Sequence, residues 1–152
     1  TELCEECRTL LQPRLERSGI TLGYSCTAAE VYYDRERVRE VLLNLLDNCI
    51  LHSGCSRIAI TTATLPLRLT VEDNGEGIPP EQLDRLFQPF YRSRSSAPGG
   101  SGLGLSICKE IMEAQNGGIE VLSSPGAGTR VILYFQDRSQ PQGWYNGMAR
   151  RI

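Results

Sequence analysis

Apolar residues fall into short periodic runs along the chain, and their spacing predicts most of its elements. Leu3, Cys7, Leu10, Leu11 and Leu15 recur at helical intervals over residues 3–18, with Pro13 predicting a break or kink and Gly19 closing the segment. Ile20, Leu22 and Tyr24 alternate as a half-buried strand does, and Val31-Tyr32-Tyr33 predicts another short strand. Asp34 is placed to cap a helix whose Val38, Val41, Leu42, Leu45, Leu46 and Cys49 form one apolar stripe, ended by Ser53-Gly54. Arg57–Thr64 and Leu67–Asp73 read as paired strands joined around Pro66. A loop rich in glycine and proline, residues 74–80, leads to a short helix near residues 81–87 and then to a polar, mobile stretch at 92–100. Gly102 opens a further helix with Leu103, Ile107, Cys108, Ile111 and Ala114 on its apolar side, stopped by Asn116-Gly117-Gly118. Residues 119–122 and 129–135 are strands on either side of a Ser-Pro-Gly-Ala-Gly turn. Periodicity then vanishes, so residues 1–136 read as the domain and 137–152 as a tail. The pattern predicts an α+β sandwich: one mixed, mostly antiparallel sheet of about five strands with three helices packed on one face.

Composition narrows the functional classes. With 152 residues, 40% of them apolar, the chain can bury a full core as one domain. Sixteen basic residues against eighteen acidic ones give a net charge of −2, which removes the electrostatic case for nucleic acid or an acidic membrane surface. No run of about eighteen apolar residues occurs and no secretory signal is recognisable, so a membrane anchor or sensor would lie outside this segment. The six cysteines mostly occupy positions suited to small apolar residues, and Cys4-x-x-Cys7 lacks the second pair a zinc site needs. They read as reduced thiols of a cytoplasmic protein.

Four groups of polar residues carry candidate chemistry. Asn44, Asn48 and His52 make a row along the long helix beside its apolar stripe; alone, that row also describes a solvated flank. Strand alternation puts Asp73 on the apolar face of Leu67, Leu69 and Val71, where a carboxylate needs hydrogen-bond donors such as an amino-bearing heterocycle. Gly75 and Gly77 follow it and would let backbone approach a flat ring, although Asp-Asn-Gly is equally an ordinary turn. The glycines of residues 99–104 open a helix and suit an anion such as phosphate, or else form a linker. Thr129 shares its strand face with Val131, Leu133 and Phe135, which turns its hydroxyl inward as Asp73 is turned.

Taken in order, the Asn-bearing helix, Asp73-Asn74-Gly75-Glu76-Gly77, residues 86–92, Gly102-Leu103-Gly104-Leu105 and Gly128-Thr129 resemble the N, G1, F, G2 and G3 boxes of sensor histidine kinases. The resemblance covers residues 1–136 and implies the Bergerat ATP-binding fold, shared with DNA gyrase, the mismatch-repair ATPases and a heat-shock chaperone. It implies that Asn48 coordinates Mg²⁺ against the phosphates, with Asn44 lining the same pocket. Asp73 would accept a hydrogen bond from the adenine amine, assisted by Thr129 through water. Gly75 and Gly77 would shape the adenine side. Phe87, Phe90 and Arg92 would lead into an ATP lid across residues 93–101 hinged at Gly100, Gly102 and Gly104, and His52, Ile78, Arg94, Leu103 and Leu105 would complete the nucleotide-binding set.

The chain departs from the family pattern where Leu51 replaces a frequent Lys, where Cys49 replaces the usual Ala, and where Gln88 replaces a frequent Glu. Lys109 is the only lysine, so phosphate-facing charge would fall to Arg92 or Arg94. The only histidine, His52, lies outside any phosphoacceptor motif. Relatives that hydrolyse ATP have a Glu where Asn44 stands, and an amide cannot act as a general base. The resemblance therefore implies Mg-ATP binding and phosphoryl transfer to a histidine on a separate dimerisation and phosphoacceptor domain, with a response regulator downstream. A nucleotide-holding regulatory module without kinase activity, and a serine kinase of anti-sigma type, are the alternatives.

Overall fold

The computed structural model describes residues 1–27, 33–89 and 104–136. In chain order its elements are α1 (Glu2–Ser18), β1 (Thr21–Ser25), α2 (Arg35–His52), β2 (Arg57–Thr64), β3 (Leu67–Asp73), α3 (Pro80–Leu83), α4 (Gly104–Ala114), β4 (Gly118–Ser123) and β5 (Thr129–Tyr134). The strands form one sheet in the order β1-β2-β3-β5-β4, parallel between β1 and β2 and antiparallel elsewhere. This is the mixed α+β sheet that the periodicity predicts.

One buried stripe on each of α1, α2 and α4 holds the layers together. Every apolar position predicted on α2 is buried, and Asp34 caps the helix by accepting the Arg37 N–H at 3.1 Å. Leu42, Leu45 and Leu46 of α2 and Met112 of α4 join Ile58, Ile60, Val71 and Leu133 of the sheet in one fully buried cluster. Along β3 the inward Leu69, Val71 and Asp73 are buried, whereas Glu72 points to solvent and meets Arg130 across the ladder at 3.0 Å. Asp73 is the last residue of that inward face, where β3 gives way to a loop.

Four local expectations are corrected. Pro13 does not break α1, which runs unbroken to the left-handed cap at Gly19 (φ 66°). Pro13 and Thr9, whose carbonyl loses its N–H partner, are both exposed, so water serves that carbonyl. Burial of Leu3, Cys7, Leu11 and Leu15 on the opposite side outweighs a mid-helix proline costing about 3 kcal/mol. Tyr33, the one described residue of the expected strand at 31–33, lies outside any strand and packs its ring on Phe135. The helix expected near 81–87 is the single turn α3, continued by tighter turns in which Arg85 and Leu86 donate to the Gln82 and Leu83 carbonyls. On α4, Ala114 is exposed and Met112 takes its place in the core, because the stripe follows Leu105, Cys108, Ile111 and Met112. Asn116, in the left-handed region, and Gly117, whose N–H bonds the Met112 carbonyl, end that helix as expected.

All six cysteines are free thiols, and five are buried. Burial pushes Cys7 up to about 11 and Cys108 up to about 12, from an ordinary 9.0. Above pH 9.0 the unfolded chain releases protons that the folded chain keeps, so this stability is complete below pH 9.0 and is lost as the pH climbs toward 11 and 12. Denaturant midpoints should fall steadily across that window, and a flat profile would contradict the assignment.

Candidate functional site

Asp73 ends β3 as a buried residue, 5% exposed, at the rim of the core. Its Oδ1 accepts the Gly75 N–H at 2.8 Å, and its Oδ2 faces the Cys49 thiol of α2 at 3.5 Å. Burial and then the Asp73 charge push the Cys49 thiol far above the ordinary thiol range, so it stays protonated and donates. Cys49 therefore does more than fill the space of an alanine: it touches the carboxylate on which the expected recognition depends. A thiol is a weak donor, which leaves Oδ2 with capacity for a stronger one.

The two strands beyond Asp73 align hydroxyls with it. Thr129 is its register partner on β5, and Ser123 of β4 is the partner of Thr129. Ser123 Oγ accepts the Ile78 N–H at 2.8 Å, lies 2.7 Å from the Gly128 carbonyl and 3.0 Å from Thr129 Oγ1. Its single proton goes to the carbonyl, so Thr129 donates to Ser123 and keeps its own lone pairs for another donor. Ser123 escapes a reading of the sequence because a serine before a Pro-Gly turn looks like turn chemistry. Pairing the two strands symmetrically about that turn would have placed it opposite Thr129.

The loop after Asp73 is clamped on both sides. Ser53, at the end of α2, accepts the Glu76 N–H at 2.8 Å, and the Glu76 carbonyl accepts the Gly126 N–H at 2.7 Å. Asn74 Oδ1 accepts the N–H groups of Ser56 and Arg57, tying the loop to the start of β2. The glycines serve this clamp first. A Cβ on Gly75 would stand 2.0 Å from the Ser53 carbonyl oxygen, and one on Gly77, at φ 75°, would stand 2.0 Å from that of Ser124. Protein backbone, rather than a flat ring, occupies the space these side chains would need.

On α2 the polar row faces α4. Asn44 lies beside the Cys108 thiol and opposes the upward push of burial on it, and a Cβ on Gly104 would stand 3.9 Å from Asn48 Nδ2. Asp47, next to the row in sequence, instead pairs with Arg14 of α1. His52 and Ile78 are half-buried at the edge of the same region. Leu105 packs against the core. Lys109 lies over the Phe87 ring at 5.6 Å and pairs with Glu113 at 3.8 Å, while Leu51 is 49% exposed. Phe90, Arg92, Arg94, Gly100, Gly102 and Leu103 lie outside the described residues, as do the lid stretch and the tail. No group of three or more His, Cys, Asp or Glu side chains suited to a metal occurs among the described residues.

Residues 33–139 match the profile of the family described as histidine kinase-, DNA gyrase B-, and HSP90-like ATPase. The signal transduction histidine-protein kinase BaeS of Escherichia coli (strain K12) is 36% identical over 138 residues, covering 86% of this chain and 30% of BaeS. The adaptive-response sensory kinase SasA of Synechocystis sp. is 33% identical over 135 residues, covering 84% and 35% of the two chains. The chain thus spans about a third of the length of these relatives. Among solved structures, the nucleotide-free catalytic domain of histidine kinase ThkA superposes with a TM-score of 0.75 at 29% identity, over 88% of this chain and 91% of that one. A mycobacterial sensor histidine kinase, MprB, gives 0.76 at 29% identity over 89% and 93%.

Two glycines of the β4–β5 turn separate backbone strain from contact. Gly126 and Gly128 both have positive φ, but a Cβ on Gly126 meets nothing within 4 Å, whereas one on Gly128 would stand 2.0 Å from the Asp73 carbonyl oxygen. Gly126→Ala should cost about 1–2 kcal/mol of unfolding free energy. Gly128→Ala should cost at least about 1 kcal/mol more, through displacement of Asp73. Equal losses in urea unfolding would show that the turn does not brace the carboxylate.

Proposed function

The chain belongs to the family of histidine kinase-, DNA gyrase B- and HSP90-like ATPases, and from that membership we propose that it is the ATP-binding catalytic part of a two-component sensor histidine kinase. It binds Mg-ATP and passes the γ-phosphoryl group to a histidine on a separate dimerisation and phosphoacceptor domain, from which a response regulator is served. The observation that most supports this reading is the convergence of Asp73, Cys49 and Thr129 at one end of the sheet, with Asn48 of α2 set across from Gly104.

Asp73 accepts the exocyclic amine of adenine on the lone pairs that Gly75 and the weak Cys49 donor leave free. Thr129, already donating to Ser123, accepts from a water shared with the base. Mg²⁺ needs only one or two protein ligands when phosphate and water oxygens complete its shell, and the side-chain oxygen of Asn48 would be one of them. Bound Mg²⁺ neutralises charge on the phosphate oxygens. Asn48 would hold that ion, and Asn44, an amide, withdraws no proton from water. The chain's part is positioning, and the acceptor domain brings the nucleophile. In this reading Arg92 or Arg94 would supply the cationic charge that Leu51 lacks, Gly100, Gly102 and Gly104 would serve the lid, and Phe90 and Leu103 would belong to the nucleotide-binding set. Residues 1–136 form this unit and 137–152 lie outside it. The kinase reading makes this a cytoplasmic domain; separately, no helix among the described residues is long and apolar enough to cross a membrane.

The exposed Leu51 favours one rival, a module that holds nucleotide without transferring phosphate. Mixing the protein with Mg-ATP and a separately prepared acceptor domain should yield acid-labile phosphate on the acceptor. Nucleotide binding without any such phosphate would support the rival.

Two substitutions test the residue roles. Asp73→Asn removes a charge-assisted hydrogen bond worth about 1.5–3 kcal/mol, so calorimetry should show Mg-ATP affinity falling about 10–150-fold. Unchanged affinity would remove the adenine assignment. Asn48→Ala should abolish phosphoryl transfer with little effect on the thermal midpoint of the free protein, because Asn48 is only half-buried beside the stripe. A large drop in midpoint with Mg-ATP binding intact would make the Asn row structural.

A further inference from the structure

The end of the sheet away from Asp73 holds a second cluster that the nucleotide site does not use. Cys4, on the first turn of α1, and Cys26, just past β1, are 22 residues apart in the chain, yet their Sγ atoms lie 3.8 Å apart. Both line a cavity of about 540 Å³ whose walls include Leu3, Val38, Leu69 and Phe135. Cys4 is 2% exposed, and Cys26 is the only cysteine that is not buried. The backbone on both sides of the pair is tied down. Tyr24 of β1 donates to Glu5 of α1 at 2.8 Å, and the Thr27 N–H donates to Thr62 of β2 at 2.8 Å. Forming an S–S bond requires the sulfurs to close by only about 1.8 Å.

We propose that Cys4 and Cys26 form a dithiol modification site that a small-molecule disulfide converts, in the folded protein, into a reversible Cys4–Cys26 disulfide. No other pair offers the same arrangement among the contacts described. The Cys55 thiol is turned to the Cys49 carbonyl, the Cys49 thiol to Asp73, and the Cys108 thiol to the Val41 carbonyl, all of them buried.

The chemistry is thiol–disulfide exchange. Cys26, partly exposed, loses its proton to water, and its thiolate attacks one sulfur of oxidised glutathione. The glutathione S–S bond breaks, a mixed disulfide forms on Cys26, and one glutathione thiolate leaves. Burial, and next to it the Cys26 thiol, hold Cys4 up at about 12, and capping Cys26 removes the second of these causes. The Cys4 thiolate then attacks Cys26 Sγ and expels the second glutathione. Two protein thiols lose two protons and two electrons, and one glutathione disulfide is reduced to two thiols. The resulting bond staples the first turn of α1 to the end of β1, closing a loop that the unfolded chain would otherwise leave open. The proposal does not rest on the nucleotide reading. The cavity touches Leu67 and Leu69 of β3, whose far end carries Asp73.

The test exposes the folded chain to oxidised glutathione at mildly alkaline pH, quenches with acid and maps disulfides by mass spectrometry. The expected product is lighter by two hydrogens, links the Cys4 and Cys26 peptides, reverts with dithiothreitol and unfolds at a temperature several degrees higher. Cys4→Ser should hold one glutathione on Cys26, and Cys26→Ser, at the partly exposed position, should take up none and form no link. Glutathione persisting on wild-type Cys26, a link formed only in denaturant, or a link through other cysteines would each overturn the proposal.

Discussion

A carboxyl group at the end of an apolar strand face has to be supplied with hydrogen bonds, and the geometry around Asp73 follows from that requirement. The Gly75 N–H turns back to Oδ1, which needs the chain to reverse immediately after β3. That reversal brings the loop against the end of α2, so Gly75 must lack a side chain where Ser53 passes. It also brings the loop against the β4–β5 turn, where Ser123 and Gly128 complete the brace. Three elements distant in sequence are thus held together around one carboxyl group, whose second oxygen has, among the described residues, a thiol for a donor. Such a group is prepared for a better donor, and the exocyclic amine of adenine is one.

The parts of the structure governed by periodicity were legible in the chain. The α2 stripe repeats often enough that burial could follow only one face, and the β2–β3 pair and the β5 alternation were equally plain. What failed were local rules overruled by packing. Pro13 is tolerated because the stripe on the other side of α1 decides, and Met112 displaces Ala114 because helix rotation is set by what α4 meets on α2 and the sheet. In the site, Asp73 and Thr129 were visible as polar residues on apolar faces. Ser123 and Cys49 were not, since their meaning comes from cross-strand register and from a helix-to-strand contact that no spacing along the chain encodes.

The two ends of the sheet carry different chemistry. One end gathers Asp73, Thr129 and the amide row of α2; the other places two thiols of distant segments in contact. Between them runs a core of leucine, isoleucine and valine on α2, β2, β3 and β5 whose close packing separates the two. The family membership bears on the first end, where the matched residues 33–139 include every element of the site. Cys4 and Cys26 lie before that match, while much of the cavity they line, Val38, Leu69 and Phe135 included, lies within it.

The central claim is that Asp73 selects adenine through an amine donor, and the most direct measurement compares ATP and GTP by calorimetry on the unmodified protein with Mg²⁺ present. Guanine presents a carbonyl oxygen where adenine presents the amine, so its approach would set an acceptor against a buried acceptor. The account predicts that ATP binds at least about tenfold more tightly than GTP, one charge-assisted hydrogen bond being worth about 1.5–3 kcal/mol. Equal affinities for the two nucleotides would contradict it.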